Sequence, residues 1–284
     1  MSHFTVAVIT DSIGKLESML APYNENIEVK PYIYKTKEAI INEAKERKQR
    51  ELKRKEEGKK LSEYDLKYIN AKTDEELYEA SKYGGDEKYD DDGNELTTYN
   101  PDSKWDWYSI GGRWRNLLLT KVDNEDCISE KSLEDLINGG ANLRKEVPDG
   151  YKWCDGARIK DIHFEKAIEF RDTYNKEIRF WELYVEEQEP KNEEEKEMIK
   201  FQIYKKEYYI ERYGTKENYA KTESTFHTWA LLDETGWHEK GQMGWFGMND
   251  STKDSELLFI EKFTETLKKP ENQDKYLIIV DCHI

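Results

Sequence analysis

Cysteine, long apolar runs and catalytic signatures are all scarce in this chain. Its three cysteines, Cys127, Cys154 and Cys282, are widely spaced, odd in number and form no CxxC. That fits a reducing compartment better than a disulfide framework, although an unpaired thiol can still meet its own copy across a two-fold axis. No apolar run approaches the ~20 residues that a membrane span needs, so no spanning helix is expected. The opening stretch, Met1 to Thr10, lacks the basic segment of a signal peptide and reads as a first strand. The protein is therefore expected to stay where it is made. Gly111-Gly112 and Gly139-Gly140 have neither the spacing nor the lysine of a phosphate loop, and no GxGxxG, HExxH, GxSxG or kinase motif occurs. The five histidines, His3, His163, His227, His238 and His283, lie far apart in sequence.

Basic charge is in deficit too. Sixty-one acidic residues against 45 basic ones leave a formal net charge of −16. A duplex repels such a surface, so direct nucleic-acid binding is not expected. Lys45 to Lys60 is locally basic but diluted by Glu46, Glu51, Glu56 and Glu57. The balance suits a protein that meets basic surfaces, including the groove of an enzyme that handles DNA.

What is abundant is aromatic. Aromatic residues make up 13% of the chain, too many for a disordered acidic polymer. They concentrate in Asn100 to Trp114, where Trp105, Trp107, Tyr108 and Trp114 stand with Gly111, Gly112 and Arg113. We read this stretch as an aromatic structural corner that feeds a core strand at Leu117 to Leu119. On that reading, Trp107→Ala costs about 3–5 kcal/mol of stability if the side chain is fully buried.

Along the chain, residues 4–10 and 276–284 read as buried strands of one sheet, and Ile27 to Tyr34 as an edge strand held there by Pro31. Thr36 caps a charged helix that reaches Glu57, whose narrow apolar stripe suggests that it projects or meets another subunit. Ser62 and Thr73 start two shorter helices, and Ser132 is a cap for another that stops at Gly139-Gly140. Asp90 to Glu95 lacks EF-hand ligand spacing and reads as a solvated acidic loop. Residues 164–189 and 193–213 form a helical hairpin, Thr225 to Leu232 a strand, Gly236 to Gly247 a second loop of glycines and aromatics, and Ser251 to Lys269 an amphipathic helix. The fold class is α+β, with a central mixed or antiparallel sheet that includes the N- and C-terminal strands and long helical insertions. The core is assigned to 1–35, 96–163 and 223–284, with a charged helical insertion at 36–95 and the hairpin at 164–222.

Chemistry has two footholds. If the terminal strands pair, His3, Asp281, Cys282 and His283 come together as a metal site or a Cys-His nucleophile, against the plainer reading that they only flank strands. His238, within Trp237-His238-Glu239 and near Trp245, is the best isolated acid/base candidate. No metal or cofactor is assigned.

Three stretches together carry a resemblance: Met1-Ser2-His3-Phe4-Thr5-Val6, Lys104 to Trp114 and Asp281-Cys282-His283-Ile284. They resemble bacteriophage proteins of the Gabija anti-defence family. The resemblance implies an oligomeric phage protein in the host cytoplasm. It would bind the host Gabija complex, an ATP-gated DNA nuclease paired with a helicase-like subunit, at its nuclease subunit, and block DNA binding and cleavage without catalysis. Self-association is expected near Cys282 and His283. The competing expectation is an enzyme acting on a nucleotide, or a protein sequestering one, with a pocket of Trp107, Arg113, Trp237, His238, Glu239 and Trp245.

Overall fold

A computed structural model describes residues 2–84, 88–129, 147–168, 170–244 and 247–284. The fold is mixed α and β, and its main sheet contains both terminal strands, as expected. The chain divides into two compact units, Met1–Glu25 with Asp102–Ile284, and Asn26–Pro101. The larger unit opens with β1 (His3–Thr10) and the short helix α1 (Leu16–Leu20).

The smaller unit holds β2 (Tyr32–Lys35), α2 (Lys37–Glu56), α3 (Glu63–Asn70), α4 (Asp74–Ser81) and β3 (Glu95–Thr97), with β2 and β3 paired antiparallel. Its helices begin where the caps predict. The Thr36 hydroxyl accepts from the Ala39 N–H at 3.2 Å, and Ser62/Asp65 and Thr73/Glu76 form capping boxes. Accepting from the Ser62 hydroxyl and N–H, with Arg47 also beside it, holds the Asp65 carboxyl at about 2. The narrow stripe of α2 is covered within its own unit, where Ala44 packs with Tyr68, Ala71 and Leu77. The acidic loop satisfies itself, since Asp90 accepts from the N–H groups of Asp92 and Asn94 and from the Asn94 amide.

The larger unit continues with β4 (Trp107–Ile110), β5 (Leu118–Lys121), β6 (Tyr151–Cys154), β7 (Gly156–Arg158), α5 (Phe164–Ile168), α6 (Phe170–Tyr184), α7 (Glu193–Met198), α8 (Lys206–Tyr213), α9 (Lys216–Ser224), β8 (Ala230–Asp233), β9 (Gly236–Glu239), α10 (Lys253–Lys268) and β10 (Tyr276–His283). The main sheet runs β4-β10-β1-β8-β9, with β7 also pairing β10. β1 is antiparallel to β10 and parallel to β8, and β9 is antiparallel to β8. It follows that α10 connects two parallel strands, β9 and β10, that have β1 and β8 between them. The period-2 alternation sorts the terminal strands onto two cores. Ala7, Ile9, Leu277 and Ile279 pack with Phe259 and Phe263 of α10, while Phe4, Val6, Val8, Ile278, Val280 and Cys282 pack with Leu16, Leu20 and Trp105.

The strand after the aromatic corner, β5, has Leu118 and Leu119 buried, as a core strand should, and it pairs with β6 in a separate two-stranded sheet. Several other expectations are corrected. Gly236 to Glu239 is a strand in a hairpin with β8, and the strand expected from Thr225 starts only at Ala230. The second helix of the expected hairpin is broken between Met198 and Lys206. Phe201, Ile203 and Tyr204 are weak helix formers, and the Tyr204 carbonyl accepts from the Tyr184 hydroxyl at 2.8 Å. The main neighbour of α6 is then α9, through a cluster of Phe180, Trp181, Tyr209 and Tyr219. The helix expected around Ser132, with its stop at Gly139-Gly140, lies outside the described residues.

Candidate functional site

The pairing register brings the sequence's scattered histidines into one place. His3 of β1 stands opposite His283 of β10, and His283 stands opposite Trp107 of β4. Opposed residues of antiparallel strands share a face, so His3, His283 and Trp107 form a row across three strands. Their rings are in mutual contact. His3 meets His283 edge-on at 4.9 Å and Trp107 edge-on at 5.2 Å, while Trp107 stacks on His283 at 5.1 Å with 17° between planes.

A carboxylate holds each imidazole. His3 Nδ1 lies 2.9 Å from Asp281 Oδ1, and His283 Nδ1 lies 2.7 Å from Asp106 Oδ1. A carboxylate only accepts, so each Nδ1 is assigned the proton and each Nε2 is left as the exchanging nitrogen. Among the described residues neither Nε2 has a hydrogen-bond partner. Asp106 is itself fixed, its Oδ1 also accepting from the Trp107 N–H at 2.7 Å.

The glycine corner builds the other side. Gly111 and Gly112 have φ of 70° and 50°, a region closed to most L side chains. A Cβ on Gly111 would lie 2.7 Å from Asp155 Oδ1, and one on Gly112 would lie 2.3 Å from the Asp281 Cβ. Two buried carboxylates therefore seat the turn, Asp281 Oδ2 accepting from the Arg113 N–H at 2.9 Å and Asp155 Oδ1 from the Asn116 N–H at 2.7 Å. The Arg113 side chain starts beside Asp281 and is exposed.

The aromatic residues of the corner do not share one environment. Trp105 is the buried one, donating from Nε1 to the Leu20 carbonyl at 3.2 Å and meeting Tyr108 edge-on. Trp114 is partly buried against the α10 side of the sheet. Trp107 is 45% exposed, which corrects its assignment to the core, because odd positions of β4 face the histidine row and even ones the interior. Arg113 is likewise no core residue. The two residues of the expected self-association pair both lie in β10. Cys282 alternates into the interior opposite Phe4, where burial pushes its thiol well above its ordinary value, and His283 is also buried.

The alternative pocket does not assemble. β9 and β4 are opposite edges of the main sheet, and alternation along β9 puts His238 on the other face from Trp237 and Glu239. His238 is occupied by Thr235 at 2.7 Å, Asp233 at 3.3 Å and Lys262 at 2.9 Å. The Trp237 indole donates to Glu239 at 2.9 Å, and Glu239 pairs with Lys104 at 2.8 Å. Trp245 lies outside the described residues. Among the described residues no group of three or more His, Cys, Asp or Glu is arranged to hold a metal ion. Nor is any described helix long and apolar enough to cross a membrane.

Sequence reasoning named His3, Asp281 and His283 together but not Asp106 as the second carboxylate, and it missed Asp155. The available signal for Asp106 was its place one residue before Trp107 in a strand that pairs with β10. Three segments remote in sequence thus supply the site: His3 from β1, Asp106 just before β4 with Trp107 within it, and Asp281 and His283 from β10. Comparison of the chain with known proteins finds no matching family model, no matching curated protein and no matching solved structure.

Proposed function

We propose that the histidine row is the acid–base site of an enzyme acting on a small anionic substrate. The observation that carries this reading is the pair of imidazoles in contact, each held at Nδ1 by its own carboxylate. One ring in its neutral form takes a proton at Nε2 while the other, protonated, delivers one, which is the division of labour that bond cleavage between heteroatoms needs. Exposed Arg113 supplies a positive charge for the substrate and Trp107 an aromatic surface. A panel of p-nitrophenyl phosphate esters, carboxylate esters and glycosides tests the reading. Turnover of at least one class should fall about 100-fold or more in both His3→Asn and His283→Asn, which keep a donor near the Nδ1 position. Equal rates for wild type and both variants across the panel would sink it.

A second reading, favoured by a separate surface, is the one the family resemblance implies: binding of the host Gabija nuclease complex in the host cytoplasm, without catalysis. Phe201 and Ile203 are 84% and 92% exposed, and Tyr204, Tyr208 and Ile210 beside them in sequence are also exposed. Exposed apolar patches mark protein contacts. The reading predicts that the nuclease subunit co-purifies with the wild-type chain and is lost in a Phe201→Ser/Ile203→Ser variant. Recovery of equal nuclease with both proteins would count against this surface.

A further inference from the structure

We propose that the substrate of this site is a short ribonucleotide phosphodiester, cleaved by attack of its own 2′-hydroxyl. The proposal rests on the acid–base reading above and adds the substrate to it.

The row offers two proton-transfer groups and no protein nucleophile. Cys282 is buried on the opposite face of the sheet. The hydroxyls of the adjoining row, Thr5 and Ser109, stand opposite Asp281 on either side, and among the described residues neither is hydrogen-bonded to an imidazole. Thr5 Oγ1 instead accepts from the Trp229 N–H at 3.3 Å. The attacking oxygen then comes from outside the protein. A hydroxyl already attached next to the phosphorus needs only deprotonation and alignment, the two things this site provides, whereas water must also be captured.

Each remaining feature matches a part of such a substrate. Arg113, with its backbone fixed on Asp281, carries the cation for the phosphoryl oxygens. Trp107 is held on one side by His283 and leaves nearly half its surface in solvent, where a base can stack. The net charge of −16 sets the size. One phosphodiester can be met by one arginine, but a long polyanion gathers repulsion along its length.

In the reaction one Nε2 takes the 2′-hydroxyl proton as the 2′-oxygen forms its bond to phosphorus. The bond from phosphorus to the 5′-oxygen breaks, and the other imidazolium gives its Nε2 proton to that leaving oxygen. The products are a 2′,3′-cyclic phosphate and a free 5′-hydroxyl, with no net change in protons or electrons.

The test incubates the full chain with ApA and UpA, with their 2′-deoxy analogues and with a 30-nucleotide RNA, following products by chromatography and phosphorus NMR. The proposal expects cyclic phosphate from the ribonucleotides, none from the deoxy analogues, a loss of about 100-fold in His3→Asn and His283→Asn, and a KM raised about 10-fold in Arg113→Gln. Arg113→Gln changes an exposed side chain, so it reports on the site even if a histidine variant fails to fold. Equal cleavage of ribo and deoxy substrates overturns the 2′-hydroxyl mechanism, and preferred cleavage of the long RNA overturns the size assignment. Inert dinucleotides beside histidine-dependent turnover in the chromogenic panel overturn the substrate class and leave the acid–base reading standing. Inert dinucleotides beside an inert panel overturn both.

Discussion

His3 and His283 stand directly opposite each other in the pair formed by the first and last strands, with ring centroids 4.9 Å apart. The contact exists because an eight-residue register holds from His3↔His283 to Thr10↔Tyr276. A shift of that register by one residue would put the two rings on opposite faces of the sheet.

Trp105 and Trp107 should separate stability from function. Trp105→Ala removes a buried indole and its hydrogen bond to Leu20, and is expected to cost about 3–5 kcal/mol by urea denaturation. Trp107→Ala removes a half-exposed ring and should cost about 1 kcal/mol or less. Equal losses would show that Trp107 belongs to the core after all.

Gly112→Ala forces a Cβ to within 2.3 Å of the Asp281 Cβ at a φ of 50°. Strain and overpacking together should cost roughly 2–5 kcal/mol and displace Asp281 from His3. Gly150→Ala is the control, since its φ is 77° but no atom lies within 4 Å of the added carbon. Its cost should be the backbone part alone, about 1–2 kcal/mol. Thermal melts of the two variants read the difference.

All three thiols are free, and two of them are sealed. Burial pushes Cys154 up to about 12 and Cys282 well above its ordinary value, so neither presents a thiolate at pH 8. Labelling of the native protein with iodoacetamide should reach Cys127 first, and mass spectrometry should find Cys154 and Cys282 modified only after unfolding. Rapid native labelling of Cys282 would contradict its place opposite Phe4.

His227 sets a pH dependence of stability. Burial, helped by the nearby Lys240 charge, lowers its affinity for a proton, and its Nδ1 lies 2.8 Å from the Thr225 carbonyl. The folded state thus resists a proton that the unfolded chain accepts near its ordinary value of about 6.5. Above that value both states are neutral and His227 contributes nothing to the pH dependence. As pH falls below it, stability is lost until the folded-state value is passed. The fall in melting temperature from pH 7.5 to pH 5 should be smaller in His227→Asn than in wild type, and an unchanged fall would remove His227 as its cause.

Local features were legible because their causes are local. Thr36, the Ser62 and Thr73 boxes and the apolar spacing of Leu257, Ile260, Phe263 and Leu267 located their helices, since capping and periodicity act within a turn or two. The continuous apolar character of residues 4–10 and 276–280 likewise marked two buried strands. The break after Met198 was less legible, because a tertiary hydrogen bond from Tyr184 competes with helix propensity there.

The sequence by itself determined that this chain has buried terminal strands, a charged surface and a glycine-aromatic corner, since composition, alternation and φ preference reside in neighbouring residues. Only the tertiary structure decided that His3 and His283 meet, that Asp106 and Asp281 back them, that Trp107 faces solvent while Trp105 is buried, and that His238 is engaged elsewhere. Those outcomes depend on strand order and register between segments remote in sequence, and no local preference encodes either one.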